Sequence, residues 1–505
     1  MHTVYFKLLS LHGLITLFAL FVYVATSHAL QQRRHPSAAI GWVLFIFLLP
    51  YAALPFYLLF GTRKATHSEH ISPASCGTPA EPGANFLSRI TTALRQPRPA
   101  PYHDLHIHAD GRAALAAALE IIDGARHSID LCTFILRGDA VGRAVCERLT
   151  ARARHGVKVR VLVDGVGRLM GGGADFTALV AAGAEVARFP PSLRAPLRGR
   201  ANLRNHRKLL LADAGTAAER MFCGGRNLAA EYFEGEPGAP PWRDLTFDMR
   251  GPVARQGMAL FERGWEFATG SDTRAAAPIG WGAEPALAGA AVPAGAMPPA
   301  IAMVDAHAAP AATAGAFVAG APLQDALPPS AQVISSGPDE EDDTVYAMLV
   351  SGAYRASSRI ALVSPYVVLE EALLMSLCLA ARRGVQVDLL LPAHSNHRLA
   401  DAARHRSLRA LAGAGVCIWL APGMLHAKLA VIDERVALAG SANLDGRSLF
   451  LNYEVMMAFD HAPDVARFRA WFDTERAGAV RYRSEAPGLM RDIGEGLLLW
   501  VGFQV

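Results

Sequence analysis

The sequence predicts an α/β fold: two repeated α/β/α domains, related by a pseudo-twofold axis, preceded by an N-terminal transmembrane helical hairpin. Three observations lead there. Two long runs near the N-terminus carry no acidic or basic residue. The rest of the chain repeats itself. Within each repeat, helical patterns alternate with short apolar strands. The 505 residues suffice for two or three domains. Their 52% hydrophobic content and mean hydropathy of +0.21 are high for a chain without a membrane segment.

Residues 8–30 and 38–61 contain no Asp, Glu, Lys or Arg. Each exceeds the ~20 residues that cross a hydrocarbon core of about 30 Å. The short polar link QQRRHPS joins them, so 1–65 reads as a hairpin. The first run is too long for the apolar core of a cleaved signal, and a second follows it. Lys7, Arg63 and Lys64 flank the outer ends against Arg33 and Arg34 in the link, which leans both termini towards the cytoplasm. A multi-pass protein of a bacterial inner membrane is expected, with its remaining domains on the cytoplasmic side.

Residues 66–104 are rich in Pro, Ser and Gly and read as a linker. Residues 269–331 are dominated by Ala, Pro and Gly and read as a flexible insert that packs no core. They leave 105–268 and 332–505 as the two domains. RHGVKVRVLVDG at 154–165 matches RRGVQVDLLLPA at 382–393, and AGAEVARFP at 182–190 matches AGAGVCIWL at 412–420. A duplication of this kind brings two equivalent sites into one molecule.

HRKLLLAD gives His206, Lys208 and Asp213, and HAKLAVID gives His426, Lys428 and Asp433. Both are H-x-K-x4-D. Each is followed by a glycine turn and an asparagine: GGRN ends at Asn227 and GSAN at Asn443. One such motif is weak, but two at equivalent places in a repeat are strong. On a strand, residues i and i+2 share a face, so each histidine should sit beside its lysine. Two His, two Lys and two Asn would converge on one pocket if the halves pack about a twofold axis. That set suits a phosphodiester. Ammonium and amide groups bind the non-bridging oxygens, one imidazole attacks phosphorus, and the other moves the proton of the alcohol. Neither a cofactor nor a metal is expected, because no carboxylate cluster is in view to hold one. Of 49 lysines and arginines only five are lysine, two of them in these motifs. Lysine's compact ammonium is not interchangeable with arginine. The six cysteines form no C-x-x-C pair, which fits buried thiols in a reducing compartment.

The paired motifs resemble those of the phospholipase D superfamily. The hairpin RRHPSAAIGWVLFIFLLPYAALPFYLLFG, together with GGRNLAAEY…WRDLTF and GSANLDGRSLFLNYEV, is similar to bacterial cardiolipin synthases in particular. The resemblance implies two phospholipase D-like domains and conversion of two phosphatidylglycerols to cardiolipin plus glycerol. It implies His206 as nucleophile and His426 as acid/base, with Asp244 and Glu454 orienting the histidines. Asp213 and Asp433, as motif members, are grouped with the catalytic residues but expected to fix strand and turn through hydrogen bonds. Phosphatidylglycerol and anionic membrane lipids are the expected partners. Nucleic acid is disfavoured by the modest net charge of +4, and no protein partner can be inferred. The competing readings are hydrolysis of a phosphodiester, a phosphatidylethanolamine co-substrate, and a non-catalytic scaffold.

Other features carry two readings each. Arg194, Arg198, Arg200, Arg204 and Arg207 beside the first motif form either a lip for anionic headgroups or a solvated loop. His103, His106 and His108 read as a surface loop rather than a metal tract. GVGRLMGGG at 165–173 reads as a flexible active-site loop, and the C-terminal GLLLWVGFQV as packing against the domain.

Overall fold

The structure, a computed structural model, describes residues 2–29, 36–60, 85–189 except 171, 203–270, 328–488 except 341, and 494–495. Most of the insert, the basic run before residue 203 and the C-terminal apolar run lie outside the described residues.

Each repeat folds around one sheet. In the first, the strand order is His103–Ile107, Thr246–Arg250, Arg220–Gly224, Leu209–Ala212, Ser128–Thr133, Lys158–Asp164, Glu185–Phe189. In the second it is Ser330–Ser336, Asn452–Phe459, Val436–Gly440, Leu429–Ile432, Arg359–Val363, Gln386–Pro392, Cys417–Ala421. The two orders match strand for strand. The last three strands of each run parallel and the others antiparallel. Parallel strands need crossover helices, and Ala140–Arg154 and Glu371–Arg382 supply them in equivalent positions. Strands covered on both faces read as unbroken apolar runs. VRVLVD and VDLLLP, six buried residues each, approach this, broken only by buried Arg160, Asp164 and Asp388, of which Arg160 pairs with Asp130 and Asp388 with Arg359.

The halves share a core. Phe247 of the first half packs edge-on to Phe459 and Phe468 of the second, with ring centroids 5.7 and 5.6 Å apart. The same cluster takes in Leu209 and Leu429, from the two motif strands. The helices Val253–Thr269 and Ala462–Ala477 contribute Phe261, Trp265, Phe468 and Phe472. Each half also keeps an outer core of its own under its crossover helices.

Three readings differ from the structure. Residues 85–104 are ordered: Asn85 caps the helix Phe86–Ala93, Leu87 enters the outer core of the second half, and Ala100–Pro101 adds a strand to the edge at Ser330. Apolar residues at helical spacing inside a Pro-rich stretch explain the oversight. The 165–173 stretch begins as a helix, Gly165–Met170, held by Asp164 Oδ1 accepting from the amides of Val166 and Gly167. His103 and His106 lie on an edge strand rather than a loop, and His108 is buried 3.0 Å from Asp248.

At the N-terminus, His2–Ala29 is one helix, but the second apolar run is two, Pro36–Leu48 and Pro50–Phe60. Pro50 disfavours helical geometry at Leu49. The helices pack through Ala19, Tyr23, Trp42, Ile46, Ala53 and Tyr57, with Thr26 Oγ1 2.7 Å from the Tyr57 hydroxyl. Leu17, Phe21, Phe47 and Leu48 point outward and are exposed. Among the described residues no helix is long and apolar enough to cross a membrane.

Candidate active site

His206 and His426 stand in extended lead-ins just before the motif strands, not on them. What fixes each lead-in is the opposite half. Arg204 and Asn205 pair in parallel with Asn452 and Tyr453, and the His206 amide donates to the Tyr453 carbonyl at 2.9 Å. Symmetrically, Arg243 bridges Leu425, and the His426 amide donates to the Arg243 carbonyl at 2.6 Å. The glycine opening each G-[GS]-x-N turn has a steric reason. A Cβ on Gly224 would meet Leu245 O at 2.4 Å, and one on Gly440 would meet Val455 O at 2.2 Å.

The two carboxylates are exchanged between halves. His206 Nδ1 lies 2.9 and 3.0 Å from the oxygens of Glu454, which belongs to the second half. His426 Nδ1 lies 2.8 Å from Asp244 Oδ2, which belongs to the first. A carboxylate that accepts from Nδ1–H fixes the proton on that nitrogen and leaves Nε2 for chemistry. Each acid follows one motif in sequence and serves the histidine of the other.

The lysines complete the cluster. Lys208 Nζ donates to the His206 carbonyl at 2.6 Å, and Lys428 Nζ donates to the His426 carbonyl and lies 3.1 Å from His426 Nε2. All four side chains are buried or nearly so. Burial pushes His206 down to about 4, partly countered by Glu454, and His426 down to about 3, with Lys428 adding to the fall. Both imidazoles are therefore neutral at neutral pH. Burial also lowers Lys208 to about 7 and Lys428 to about 8, against the pull of Glu454 and Asp244. Each histidine feels the lysine of the opposite half, so the two half-sites form one electrostatic unit.

Asn227 is engaged at both ends, donating to the Tyr232 hydroxyl at 2.8 Å and accepting from the Ile135 amide at 3.3 Å. Asn443 Nδ2 donates to Ser448 Oγ at 3.1 Å, while its buried Oδ1 has no partner among the described residues. Asp213 and Asp433 do not face the histidines. Each stands past the far end of its motif strand, at φ +51°. Asp213 accepts from the amides of Arg126, His127 and Ser128, and Asp433 from those of Ser357, Ser358 and Arg359. Their carboxylates are committed to a neighbouring loop, which removes them from the pocket.

Sequence reasoning passed over several neighbours. Ser441 Oγ donates to Glu454 Oε2 at 2.5 Å. The rings of Tyr232, Trp242 and Tyr366 surround His426 with centroids 5.2, 5.6 and 6.3 Å away, while Phe134 stands 5.2 Å from His206. Ser441 and Trp242 were visible inside GSAN and WRD, but nothing in the sequence shows which histidine they approach. Of the basic run, Arg207 turns inward over Tyr453 at 5.1 Å, and Arg204 is half-buried, with Nη1 donating to the Leu203 carbonyl at 2.7 Å. Among the described residues no group of His, Cys, Asp and Glu is arranged to hold a metal. Two ammonium groups can bind a phosphodiester, a neutral imidazole can attack it, and the second imidazole, once protonated on Nε2, can protonate what leaves.

The chain is similar to known proteins. A family described as "Cardiolipin synthase, PLD-like domain" matches residues 118–236 and 350–476, and one described as "Phospholipase_D-nuclease N-terminal" matches 14–61. Cardiolipin synthase A of Pseudomonas putida (strain W619) is 29% identical over 457 residues, covering 86% of this chain and 85% of that protein. Cardiolipin synthase A of Pseudomonas aeruginosa (strain LESB58) is 29% identical over 496 residues, covering 92% and 89%. Among solved structures, phosphatidylserine synthase of Haemophilus influenzae Rd KW20 superimposes with a TM-score of 0.58 at 10% identity. It covers 83% of this chain and 100% of that one, a likeness of fold.

Proposed function

We propose, from the premise that this chain belongs to the phospholipase D superfamily and to its cardiolipin synthases, that it transfers a phosphatidyl group from one phosphatidylglycerol to another and releases glycerol. The observation that carries the reading is the crossed pairing of His206 with Glu454 and of His426 with Asp244. It aims two imidazoles, one to attack and one to move a proton, into one buried, cationic pocket.

In the first step His206 Nε2 attacks phosphorus and the bond to glycerol oxygen breaks. His426 acts there as the imidazolium, favoured by Asp244 and by the negative charge of the bound phosphodiester: it gives its Nε2 proton to that oxygen and becomes neutral, leaving a phosphatidyl-histidine. In the second step His426 takes the proton of the incoming lipid hydroxyl, whose oxygen attacks phosphorus and breaks the N–P bond. Lys208, Lys428 and Asn443 bind the non-bridging oxygens as charge grows on them, and Asn227 adds the Nδ2–H that it does not give to Tyr232. Glu454 and Asp244 hold each Nδ1 proton and stabilise the imidazolium that forms. Asp213 and Asp433 hold the strand ends.

The apolar, charge-free runs at 8–30 and 38–61 support a membrane hairpin. The exposed Leu17, Phe21, Phe47 and Leu48 give that hairpin an apolar outer face. The enzyme would then be a multi-pass protein of a bacterial inner membrane, with the two-domain body at the cytoplasmic face among anionic lipids.

Purified protein in detergent with labelled phosphatidylglycerol tests the reading. Cardiolipin together with free glycerol is expected. Phosphatidic acid alone would mean that water is the acceptor, and no turnover of any phosphodiester would leave a scaffold.

A further inference from the structure

The repeat makes the surroundings of the two histidines comparable position by position. Tyr232 stands five residues after Asn227 and accepts from its amide, as Ser448 stands five after Asn443 and accepts from it. Trp242 and Asn452 each stand two residues before the acid that serves the opposite histidine. Tyr366 and Ile135 each offer their carbonyl to a hydroxyl two residues earlier, Ser364 Oγ at 2.6 Å and Thr133 Oγ1 at 3.0 Å. The three aromatic members all stand at His426, with ring centroids 5.2, 5.6 and 6.3 Å from the imidazole for Tyr232, Trp242 and Tyr366. The equivalent places of the other half-site hold a serine, an asparagine and an isoleucine.

The three rings are held in place. Trp242 and Tyr232 meet edge-on at 4.7 Å, and the Trp242 amide donates to the Glu231 carbonyl at 2.8 Å. Buried Arg226, where the second half has Ala442, donates from Nε to the Tyr232 carbonyl at 3.0 Å and from Nη1 to Thr246 Oγ1 at 2.7 Å. It ties Tyr232 to the strand Thr246–Arg250 that follows Trp242. From the second half, Tyr366 donates its hydroxyl to Asn396 Oδ1 at 2.5 Å and packs edge-on to the His397 ring at 5.1 Å. Both tyrosine hydroxyls are thus engaged, and the rings offer His426 mainly carbon. Tyr232 and His426 are buried, while Trp242 and Tyr366 are half-buried, where the pocket meets solvent.

Between the two steps the phosphatidyl-histidine is open to any hydroxyl that reaches His426. An O–P bond forms, the N–P bond breaks, and the hydroxyl proton passes to His426 Nε2. Water is smaller and far more plentiful than a lipid hydroxyl, so a wet approach to His426 would give phosphatidic acid. We propose that Tyr232, Trp242 and Tyr366 form a collar that keeps water from the phosphatidyl-histidine and admits the hydroxyl of a second lipid, and so set transfer over hydrolysis. An ordered water needs about two to four polar partners, which ring carbon does not supply. A lipid hydroxyl arrives on a glycerol carbon skeleton that packs against those rings, and closing a site to water suppresses hydrolysis of a reactive intermediate. The inference rests on the synthase reading above, with His426 as the base, and adds to it which residues choose the acceptor.

The test measures the ratio of phosphatidic acid to cardiolipin that the full-length protein makes from labelled phosphatidylglycerol in detergent. Both products come from folded enzyme, so the ratio does not move with the folded fraction. Trp242→Ala should raise it by about tenfold or more. Tyr366→Ala, on a half-buried ring in the other half, should raise it as well, and gives the reading by itself should Trp242→Ala not fold. Trp242→Phe and Tyr366→Phe keep a ring and should stay near the wild-type ratio. Ile135→Ala, at the place equivalent to Tyr366, should leave the ratio unchanged. A wild-type ratio in the folded alanine variants at 242 and 366, or an equal rise in Ile135→Ala, would overturn the inference and leave the synthase reading intact. A wild-type protein that makes phosphatidic acid and no cardiolipin would overturn that reading, and the inference with it.

Discussion

At the residue scale, each pocket group is defined by what lies against it. His206→Ala and His426→Ala should each reduce cardiolipin formation by at least 10³-fold, with an unchanged far-ultraviolet dichroism spectrum and cooperative melting. Glu454→Gln and Asp244→Asn keep the shape but lose the charge that holds the Nδ1 proton. A drop in kcat of about 10²-fold or more is expected for each. A steady-state assay that found either variant near normal would remove the carboxylate from its role. The lowered histidines also make a stability prediction. The folded state titrates them near 4 and 3, below the ordinary value of 6.5. Between those values the unfolded chain binds more protons, so stability falls as pH drops from about 6.5 towards 4. Melting temperatures across that range should decline less steeply in the doubly substituted His206→Ala, His426→Ala protein. At the alkaline side, Lys208 at about 7 and Lys428 at about 8 lose their charge first. The rate kcat/KM should therefore decrease above pH 7 to 8 as phosphate binding weakens.

At the scale of elements, the motif aspartates are anchors. The Asp433 carboxylate, held down to about 2 by three backbone amides and Ser358 despite partial burial, ties the end of Leu429–Ile432 to the start of Arg359–Val363. Asp433→Ala leaves those amides without their acceptor. A loss of about 1–3 kcal/mol is expected in chemical unfolding, with residual activity in the folded fraction. Because the folded value lies below the unfolded one, this contribution is present above pH 4 and fades as pH falls towards 2. The N-terminal helices form their own small core, separate from those of the two sheets. Removal of residues 1–65 should abolish sedimentation with membranes and leave the unfolding transition of the remainder in place.

Much of this scale was legible. The helix–strand alternation, the register of VRVLVD with VDLLLP, and the glycine before each asparagine all follow from local pattern. What was missed has physical causes. The helix Phe86–Ala93 is short and lies in a Pro-rich setting, so its amphipathic spacing carried little weight until Leu87 found a core to enter. The glycines of 165–173 suggested mobility, but Asp164 holds the start of that stretch as a helical turn. The second apolar run looked continuous, yet Pro50 divides it.

At the scale of the whole molecule, the shared core and the crossed acids make the halves interdependent. Phe247 and Phe459 meet across the boundary and are fully buried. Truncation of either to alanine should cost about 3–5 kcal/mol, read from denaturant unfolding. The double variant should fall short of the sum, because the rings touch each other. Activity should fall beyond the loss of folded protein, since any shift between halves moves each acid away from its histidine.

The sequence by itself determined the repeat, the two H-x-K-x4-D motifs, the strands that carry them and the residue types of the pocket. These are local or periodic properties, written in adjacent letters. Only the tertiary structure decided which carboxylate serves which histidine, because Glu454 and Asp244 each lie nearer in sequence to the motif they do not serve. The reason is geometric: a twofold association exchanges the edges of the two sheets, and no spacing within either repeat records that exchange.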